Sequence, residues 1–386
     1  MKGWVRRRGR SWTVILDLGR GPDGRRRLKW VGGFARKEDA EQELVKLLRD
    51  LDTGKFVEPS KITVGEYLDE WLDGYAKLNV SGHTYERYER IVRGHLIPAL
   101  GRLQLARLRP LHIQAYMSQA LTSGRRDGQG GLSARTVLHH YRVLREALEQ
   151  AVRWQLLAVN PADAVQPPRP KLREMRALDE HETARIIKAS EGTRLHVAVV
   201  LAATTGMRRG EILALRWEDV DLRQGRLSVR QALEKTREGI RFKPPKTAKG
   251  RRSITLAALA VEAIKRWRAQ QAQEKLLLGP AYRDHGLVVC LSDGRPYDPQ
   301  EFSKRFAKIA RKAGLPGIGF HALRHGHASQ LLRAGVHPKV VSERLGHATV
   351  SITLDIYSHL LPGLQEEAAQ RIDALLCGAI TAQKSG

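Results

Sequence analysis

A proline-rich segment, NPADAVQPPRPKLRE at residues 160–174, interrupts the 386-residue chain before its midpoint. Four prolines lie among its charged and polar residues, and this composition favours an extended linker over a helix or a strand. A single hydrophobic core also rarely serves so long a chain. We therefore predict separate domains on either side of a linker at 161–174.

The first 55 residues have the pattern of a small β-domain. SWTVILDL (11–18) and RRRLKWVGGF (25–34) flank the turn residues GPDG, and the helical pattern EDAEQELVKLL follows. Residues 1–30 contain ten Lys and Arg against two acids. A basic sheet of this kind can enter a groove of DNA. The alternative is a small basic β-domain that makes no base contacts.

Residues 62–160 are predicted to be helical. Thr63 and Glu66 have the spacing of a capping box before VGEYLDEWLDGY, and three more apolar-periodic stretches follow. The last of these precedes Asn160-Pro161. We predict a four-helix domain whose Arg, Tyr and His residues form either a DNA-binding face or an ordinary solvated surface.

The charge balance indicates the class of partner. Lys and Arg number 67 against 41 Asp and Glu, for a formal net charge of +26 and a pI near 10.5. Such an excess favours a polyanion, most often nucleic acid, over a generally basic surface or one that binds anionic lipid.

Cysteine usage and hydrophobic runs indicate the compartment. The two cysteines, Cys290 and Cys377, cannot form a disulfide framework or a cysteine zinc site, which is typical of a reducing cytosol. The N-terminus has no apolar signal core, and the chain has no apolar run of 18 or more residues. We expect a cytoplasmic protein without a membrane partner.

The segment after the linker has mixed helical and strand patterns, and its first motif is TTGMRRGEILALRW at 204–217. Arg208 and Glu211 are three residues apart at a helix start, so they share one face. An arginine held by a carboxylate can present a fixed fork to a phosphate. By itself the motif is equally a salt-bridged helix start.

The second motif is KPPKTAKGRRSITL, which places Lys246 in a turn between two strand patterns. Such a turn can lower a lysine into a neighbouring groove as a proton donor. A basic hairpin without a catalytic role is the alternative.

The third motif, GFHALRHGHA at 319–328, is rich in histidine. His321, Arg324 and His325 would share one side of a helix. Metal binding would need carboxylates or cysteines, and there are none within ten residues on either side. A cluster of His and Arg is instead suited to an anion.

The fourth motif, LGHATVSITLDIYSHL at 345–360, contains His347 and, ten residues later, Tyr357. A buried core tyrosine is the alternative interpretation of Tyr357.

Together the four motifs resemble the tyrosine recombinase (phage integrase) family over most of residues 178–360. The resemblance implies a multidomain α+β fold. Its parts would be a basic β-sheet arm-type DNA-binding domain at 1–55, a helical core-binding domain at 62–160, and a mixed, mainly α catalytic domain with a C-terminal tail at 175–386. Gly250 and Gly326 depart from the family pattern, which often has hydroxyl residues there.

The resemblance also implies a set of catalytic residues, namely Arg208, Glu211, Lys246, His321, Arg324, His347 and Tyr357. Tyr357 would be the nucleophile that forms a 3′-phosphotyrosyl bond, with His321 as its general base and Lys246 as the general acid. The two arginines and His347 would bind the phosphate oxygens, and Glu211 would orient Arg208. No metal ion or other cofactor is expected.

The implied function is site-specific integration, and in some cases excision, of a phage or mobile element in a bacterial host, at the nucleoid. The implied partners are double-stranded DNA with core and arm attachment sites, further copies of the chain in a homotetramer, and DNA-bending accessory proteins or an excisionase. The tail after Tyr357 would dock on a neighbouring protomer rather than on its own domain.

Two other functions fit the same scaffold. One is a type IB topoisomerase-like nicking-closing activity, which the basic N-terminal segment and the tail disfavour. The other is a non-catalytic DNA-binding regulator, which would need no nucleophile.

Overall fold

The structure is a computed structural model that describes residues 3–20, 24–52, 61–171, 176–245 and 248–357, with short pieces between 369 and 377. The chain divides into two compact units, Met1–Leu172 and Arg173–Gly386. The domain boundaries drawn from the sequence stay predictions. None of the helices in the described ranges is long and apolar enough to span a bilayer.

The first unit begins with a three-stranded antiparallel sheet in the order β1-β2-β3 and one helix. The elements are β1 (Gly3–Arg8), β2 (Ser11–Arg20), β3 (Arg26–Phe34) and α1 (Lys37–Asp52). The predicted β2–β3 hairpin and its helix are confirmed, with Val14 and Leu16 packed against α1. Strand β1 was not predicted, because GWVRRR has too few apolar residues to signal a strand.

Four helical runs complete the first unit, as predicted. They are α2 (Val64–Glu70) with a π-helical turn and α3 (Lys77–Asn79), α4 (Gly82–Ile91) with a π-helical turn and α5 (Ile97–Leu100), α6 (Pro110–Ser123), and α7 (Ala134–Arg153). The predicted capping box is present, since the Glu66 backbone N–H donates to Thr63 Oγ1 at 3.2 Å and the Thr63 N–H donates to Glu66 Oε2 at 2.8 Å. Tyr67 and Trp71 are completely buried in the core of these helices.

The second unit is mainly helical around a strand-rich centre, as predicted. Its helices are α8 (Glu180–Ser190), α9 (His196–Thr205), α10 (Arg209–Leu213), α11 (Ala258–Leu278), α12 (Pro299–Lys312), α13 (His321–Arg333), α14 (Pro338–Leu345) and α15 (Val350–Tyr357). Between α10 and α11 lie β4 (Val220–Asp221), β5 (Arg226–Val229), β6 (Ala232–Thr236), β7 (Gly239–Lys243) and β8 (Arg252–Thr255). One sheet has the order β4-β5-β8 and the other is the pair β6-β7.

Helix α9 forms the centre of this unit. Its sequence, HVAVVLAATT, is apolar on every side, and residues 197–203 are all buried. A helix of this composition has to be covered all round, and α8, α11 and α13 pack against it. This packing brings the start of α13 close to the end of α9, where the motif that contains Arg208 begins.

Candidate active site

Arg208 and Glu211 form a closed pair at the start of α10. The Arg208 guanidinium donates to Glu211 Oε1 at 2.8 Å, and the Arg208 backbone N–H donates to Oε2 at 2.9 Å. The carboxylate side chain is 3% exposed, whereas 41% of the Arg208 side chain is accessible. The predicted pair therefore has a buried acid and a guanidinium that can still reach a ligand.

Arg324 reaches the same region from α13. Its side chain is 3% exposed, and Nη1 donates to the Gly206 carbonyl at 2.6 Å. Gly206 ends α9 with φ of +65°, which favours glycine. A Cβ there would lie 2.6 Å from Leu345 Cδ2 and 2.7 Å from His327 Cδ2. The turn that presents Arg208 and the helix that presents Arg324 can pack this closely because residue 206 has no side chain.

His347 is positioned by the end of α14. Gly346 adopts φ of +66° at that end, and its carbonyl accepts from Arg208 Nη2 at 3.1 Å. The His347 ring is 9% exposed, with Nδ1 2.8 Å from Thr353 Oγ1. Burial and then the nearby arginines, Arg324 first, lower the pKa of His347 to about 4. The free protein therefore holds a neutral imidazole beside the two cations.

His321 opens α13, with its ring edge-on to His325 at a centroid distance of 4.7 Å. The residue keeps exposed surface. Desolvation, then His325 and the positive charge of Arg324, lower the pKa of His321. A neutral imidazole with an open edge can accept a proton. Within the described ranges, no group of three or more His, Cys, Asp or Glu residues could hold a metal ion.

Arg252, which the sequence analysis did not single out, is part of this site. Its side chain is 7% exposed and forms a two-point ion pair with Glu211, at 2.9 and 3.3 Å. Burial would raise the pKa of Glu211, but the hydrogen bond and charge of Arg252, together with the charge of Arg208, lower it on balance. A signal existed, because period-two alternation along β8 puts Arg252 on the same face as the buried Ile254.

A buried pair, His327 and Arg344, was also missed. His327 Nδ1 lies 2.9 Å from the Ala203 carbonyl, so this nitrogen carries the hydrogen, and Nε2 accepts from Arg344 Nε at 3.1 Å. Burial and the charge of Arg344 lower the pKa of His327 to about 4. Arg344 also donates to the Thr204 carbonyl at 2.8 Å. The pair fastens α14 to α9 beneath the site.

Two predicted catalytic residues lie wholly or partly outside the described part of the structure. Lys246 lies outside the described residues, between β7 and β8. These strands belong to different sheets, with β7 paired to β6 and β8 paired to β5. Tyr357 is the last residue of α15, whereas its side chain lies outside the described part, as does most of the tail.

The two residues that depart from the family pattern, Gly326 and Gly250, contact different groups. A Cβ at Gly326 would lie 3.0 Å from the Leu178 carbonyl oxygen, so the helix packs closely there. The Gly250 carbonyl accepts from Arg252 Nη1 at 3.2 Å.

The described part of the site is suited to an oxyanion. Arg208, Arg324 and His347 come from three separate segments, and Glu211 is the carboxylate that holds Arg208. Arginines whose guanidinium groups are already fixed bind phosphate oxygens with a small loss of side-chain freedom.

Comparison with known proteins agrees with this geometry. The family model described as Phage integrase family matches residues 176–363, and the model described as Phage integrase, N-terminal SAM-like domain, matches residues 63–120. The chain belongs to the phage integrase (tyrosine recombinase) family. It is 29% identical to a tyrosine recombinase XerC-like protein of Caldanaerobacter subterraneus subsp. tengcongensis, over 94% of this chain and 96% of that protein. An integrase of Streptomyces ambofaciens is 27% identical, over 96% of this chain and 95% of that protein.

Solved structures share the fold of this tyrosine recombinase. The Tn1549 transposon integrase, in complex with transposon right end DNA, has a TM-score of 0.68 at 20% identity, over 82% of this chain and 100% of that chain. The lambda integrase dimer bound to a COC′ core site has a TM-score of 0.56 at 19% identity, over 92% of this chain and 94% of that chain. The predicted multidomain α+β fold class is confirmed.

Proposed function

We propose that this tyrosine recombinase is a site-specific integrase that cleaves and rejoins double-stranded DNA through a 3′-phosphotyrosyl intermediate. The observation that carries the proposal is the convergence of Arg208, Arg324 and His347 above the buried Glu211. A DNA phosphodiester is an anion that such a site fits. The net charge of +26 supports a nucleic-acid substrate, as do the DNA complexes of the Tn1549 and lambda integrases.

In the proposed reaction the Tyr357 hydroxyl oxygen attacks the scissile phosphorus. A bond from phosphorus to the tyrosine oxygen forms, and the bond from phosphorus to the 5′-oxygen breaks. His321 takes the phenolic proton, because a tyrosine of pKa about 10 is a poor nucleophile unaided. Lys246 donates a proton to the leaving 5′-oxygen. A 5′-hydroxyl of the partner duplex then reverses these steps, so no ATP is needed.

The arginines stabilise the transition state in this scheme. Negative charge grows on the non-bridging oxygens while Arg208 and Arg324 are already oriented toward them. Preorganised donors of this kind are worth about 3 kcal/mol each in a water-poor site. Their charges would take the place that divalent ions occupy in kinase chemistry.

The N-terminal sheet is proposed to bind arm sites in DNA. Its face away from α1 presents Trp4 and Arg6 from β1 beside Trp30 from β3, and both tryptophans are exposed. Arg6, Arg7, Arg8, Gly9, Thr13 and Trp30 line a hollow of about 640 Å³ on this sheet. Basic and aromatic side chains around a hollow suit a phosphate backbone and the edges of bases.

We further propose that the recombinase acts as a tetramer for a phage or another mobile element. Lambda integrase has been solved as a tetramer bound to a Holliday junction, with a TM-score of 0.56 to this chain. Exchange between two duplexes requires four cleavages, which four protomers provide. DNA-bending proteins or an excisionase would be the accessory partners.

The test is capture of the covalent intermediate. A core-site duplex nicked beside the scissile phosphate should trap protein on DNA, because the short 5′-hydroxyl fragment diffuses away before religation. Tyr357→Phe should bind the duplex and form no adduct, and peptide mapping of the parent adduct should identify Tyr357. An adduct on another residue such as Tyr297 would contradict the assignment. Relaxation of any supercoiled plasmid without strand exchange would favour the topoisomerase-like alternative.

A further inference from the structure

Arg252 connects three segments of the candidate site through one buried guanidinium. Nη1 and Nη2 donate to the two Glu211 oxygens, Nε donates to the Arg344 carbonyl at 2.7 Å, and Nη1 also donates to the Gly250 carbonyl at 3.2 Å. The segments are the start of α10, the end of α14, and the turn that leads into β8. No other role for Arg252 follows from the proposed reaction, since the side chain is almost fully buried.

The contacts of Arg252 continue directly to the groups that face the phosphate. Glu211, held by Arg252, in turn accepts a hydrogen bond from the Arg208 guanidinium at 2.8 Å. The Arg344 carbonyl lies two residues before Gly346, whose own carbonyl accepts from Arg208. A Cβ on Gly346 would lie 2.8 Å from Arg252 Nη1, so the α14 terminus packs directly on this guanidinium.

We propose that Arg252 is a positioning residue for strand cleavage, which fixes the Glu211 carboxylate and holds Arg208 and the His347 turn at their working separation. The inference rests on the proposed function. A guanidinium is required because its planar fork makes all four contacts at once. A lysine ammonium could neutralise Glu211 but could not also hold both carbonyls in the same geometry.

This role has a signature in the pH dependence. The charged groups that face Glu211 are Arg208, directly before α10, and Arg252 from β8, and beyond them lie Arg344 and the neutral His347. Without Arg252, burial of Glu211 is opposed by Arg208 alone, so its carboxyl protonates at higher pH. The pH at which the cleavage rate declines on the acid side of the profile should therefore rise by roughly one pH unit or more. A shift of this size corresponds to the free energy of one charge-assisted hydrogen bond.

The experiment measures single-turnover formation of the covalent adduct on the nicked core-site duplex, across pH, for the full chain. Arg252→Met and Arg252→Lys should bind the duplex like the parent but cleave on the order of a hundredfold more slowly, the cost of misplacing a reacting group by about 1 Å. In a Glu211→Gln background, Arg252→Met should add little further loss, because the two residues act as a unit.

The matched control is Arg216→Met. Arg216 holds another buried carboxylate, Asp219, with the same pair of distances, 2.9 and 3.3 Å. This variant should lose stability but keep the parent rate and pH profile. If Arg252→Met does not fold, the cleavage rate of Arg252→Lys is used for the comparison, because a lysine would still neutralise Glu211 but would not hold both carbonyls. Parent-like rates and profiles in the Arg252 variants would overturn this inference, whereas the absence of a Tyr357 adduct in the parent would overturn the proposed function itself.

Discussion

Gly206→Ala is expected to damage both the stability and the chemistry of the second unit. At φ of +65° a residue with a Cβ costs about 1–2 kcal/mol. The new methyl would also lie 2.6 Å from Leu345 Cδ2 and 2.7 Å from a ring carbon of His327. Overpacking of this kind costs about 1–3 kcal/mol, so the free energy of unfolding should fall by about 2–5 kcal/mol.

The variant should be compared with Gly192→Ala in thermal and denaturant unfolding. Gly192 has a similar φ of +71°, and a Cβ there would have no atom within 4 Å. Gly192→Ala is destabilised only by the cost of a Cβ at positive φ, so Gly206→Ala should be the less stable variant by about 1–3 kcal/mol. For a unit of this size the extra loss corresponds to a Tm lower by roughly 2–4 °C per kcal/mol.

The two variants should also differ in their rate of DNA cleavage. To relieve the contact, Leu345 and His327 must move, and they adjoin the His347 turn and the carbonyl that holds Arg324. At a temperature where both variants are folded, Gly206→Ala should form the adduct about a hundredfold more slowly, while Gly192→Ala keeps the parent rate. Equal stabilities and equal rates in the two variants would refute the argument that close packing at Gly206 aligns the site.

Three further outcomes are expected. First, the pKa of His327 and that of His347 are lowered to about 4 in the folded protein, from the ordinary value of 6.5. The free energy of unfolding should therefore decrease as pH drops from about 6.5 toward 4, by about 1.4 kcal/mol per pH unit for each buried ring. His327→Gln should reduce this pH dependence in denaturant titrations at pH 7 and 5. Second, removal of residues 1–60 should abolish integration but keep core-site cleavage, and loss of cleavage in a folded truncation would contradict the arm-site role. Arm-site binding by the parent should weaken about a thousandfold between 50 and 200 mM salt in binding titrations. EDTA should leave adduct formation unchanged and metal analysis should find far less than one zinc per chain, whereas EDTA-sensitive cleavage would reinstate a metal mechanism.

Local sequence patterns determined much of the fold. The four helical runs, the Thr63–Glu66 capping box and the β2–β3 hairpin all follow from periodicity or spacing within a few residues. The Arg208–Glu211 pair belongs to the same class, since three residues on a helix start bring both groups together. Strand β1 escaped prediction because its two apolar residues, Trp4 and Val5, become a strand only when β2 supplies the hydrogen-bonding partner.

Tertiary structure alone decided how the motifs meet. Arg324 contacts Gly206 across 118 positions of sequence, and Arg208 contacts Gly346 across 138. The motifs identified the candidate residues but could not predict these contacts, which depend on the packing of α13 and α14 around α9. Arg252 shows most clearly what sequence patterns could not predict. Arg251 and Arg252 are the same residue type, and only the position of β8 in its sheet decides that Arg252 faces Glu211. The alternation along β8 indicates that Arg252 lies on the buried face, but only the tertiary structure shows that its partner is Glu211, 41 positions away in the sequence.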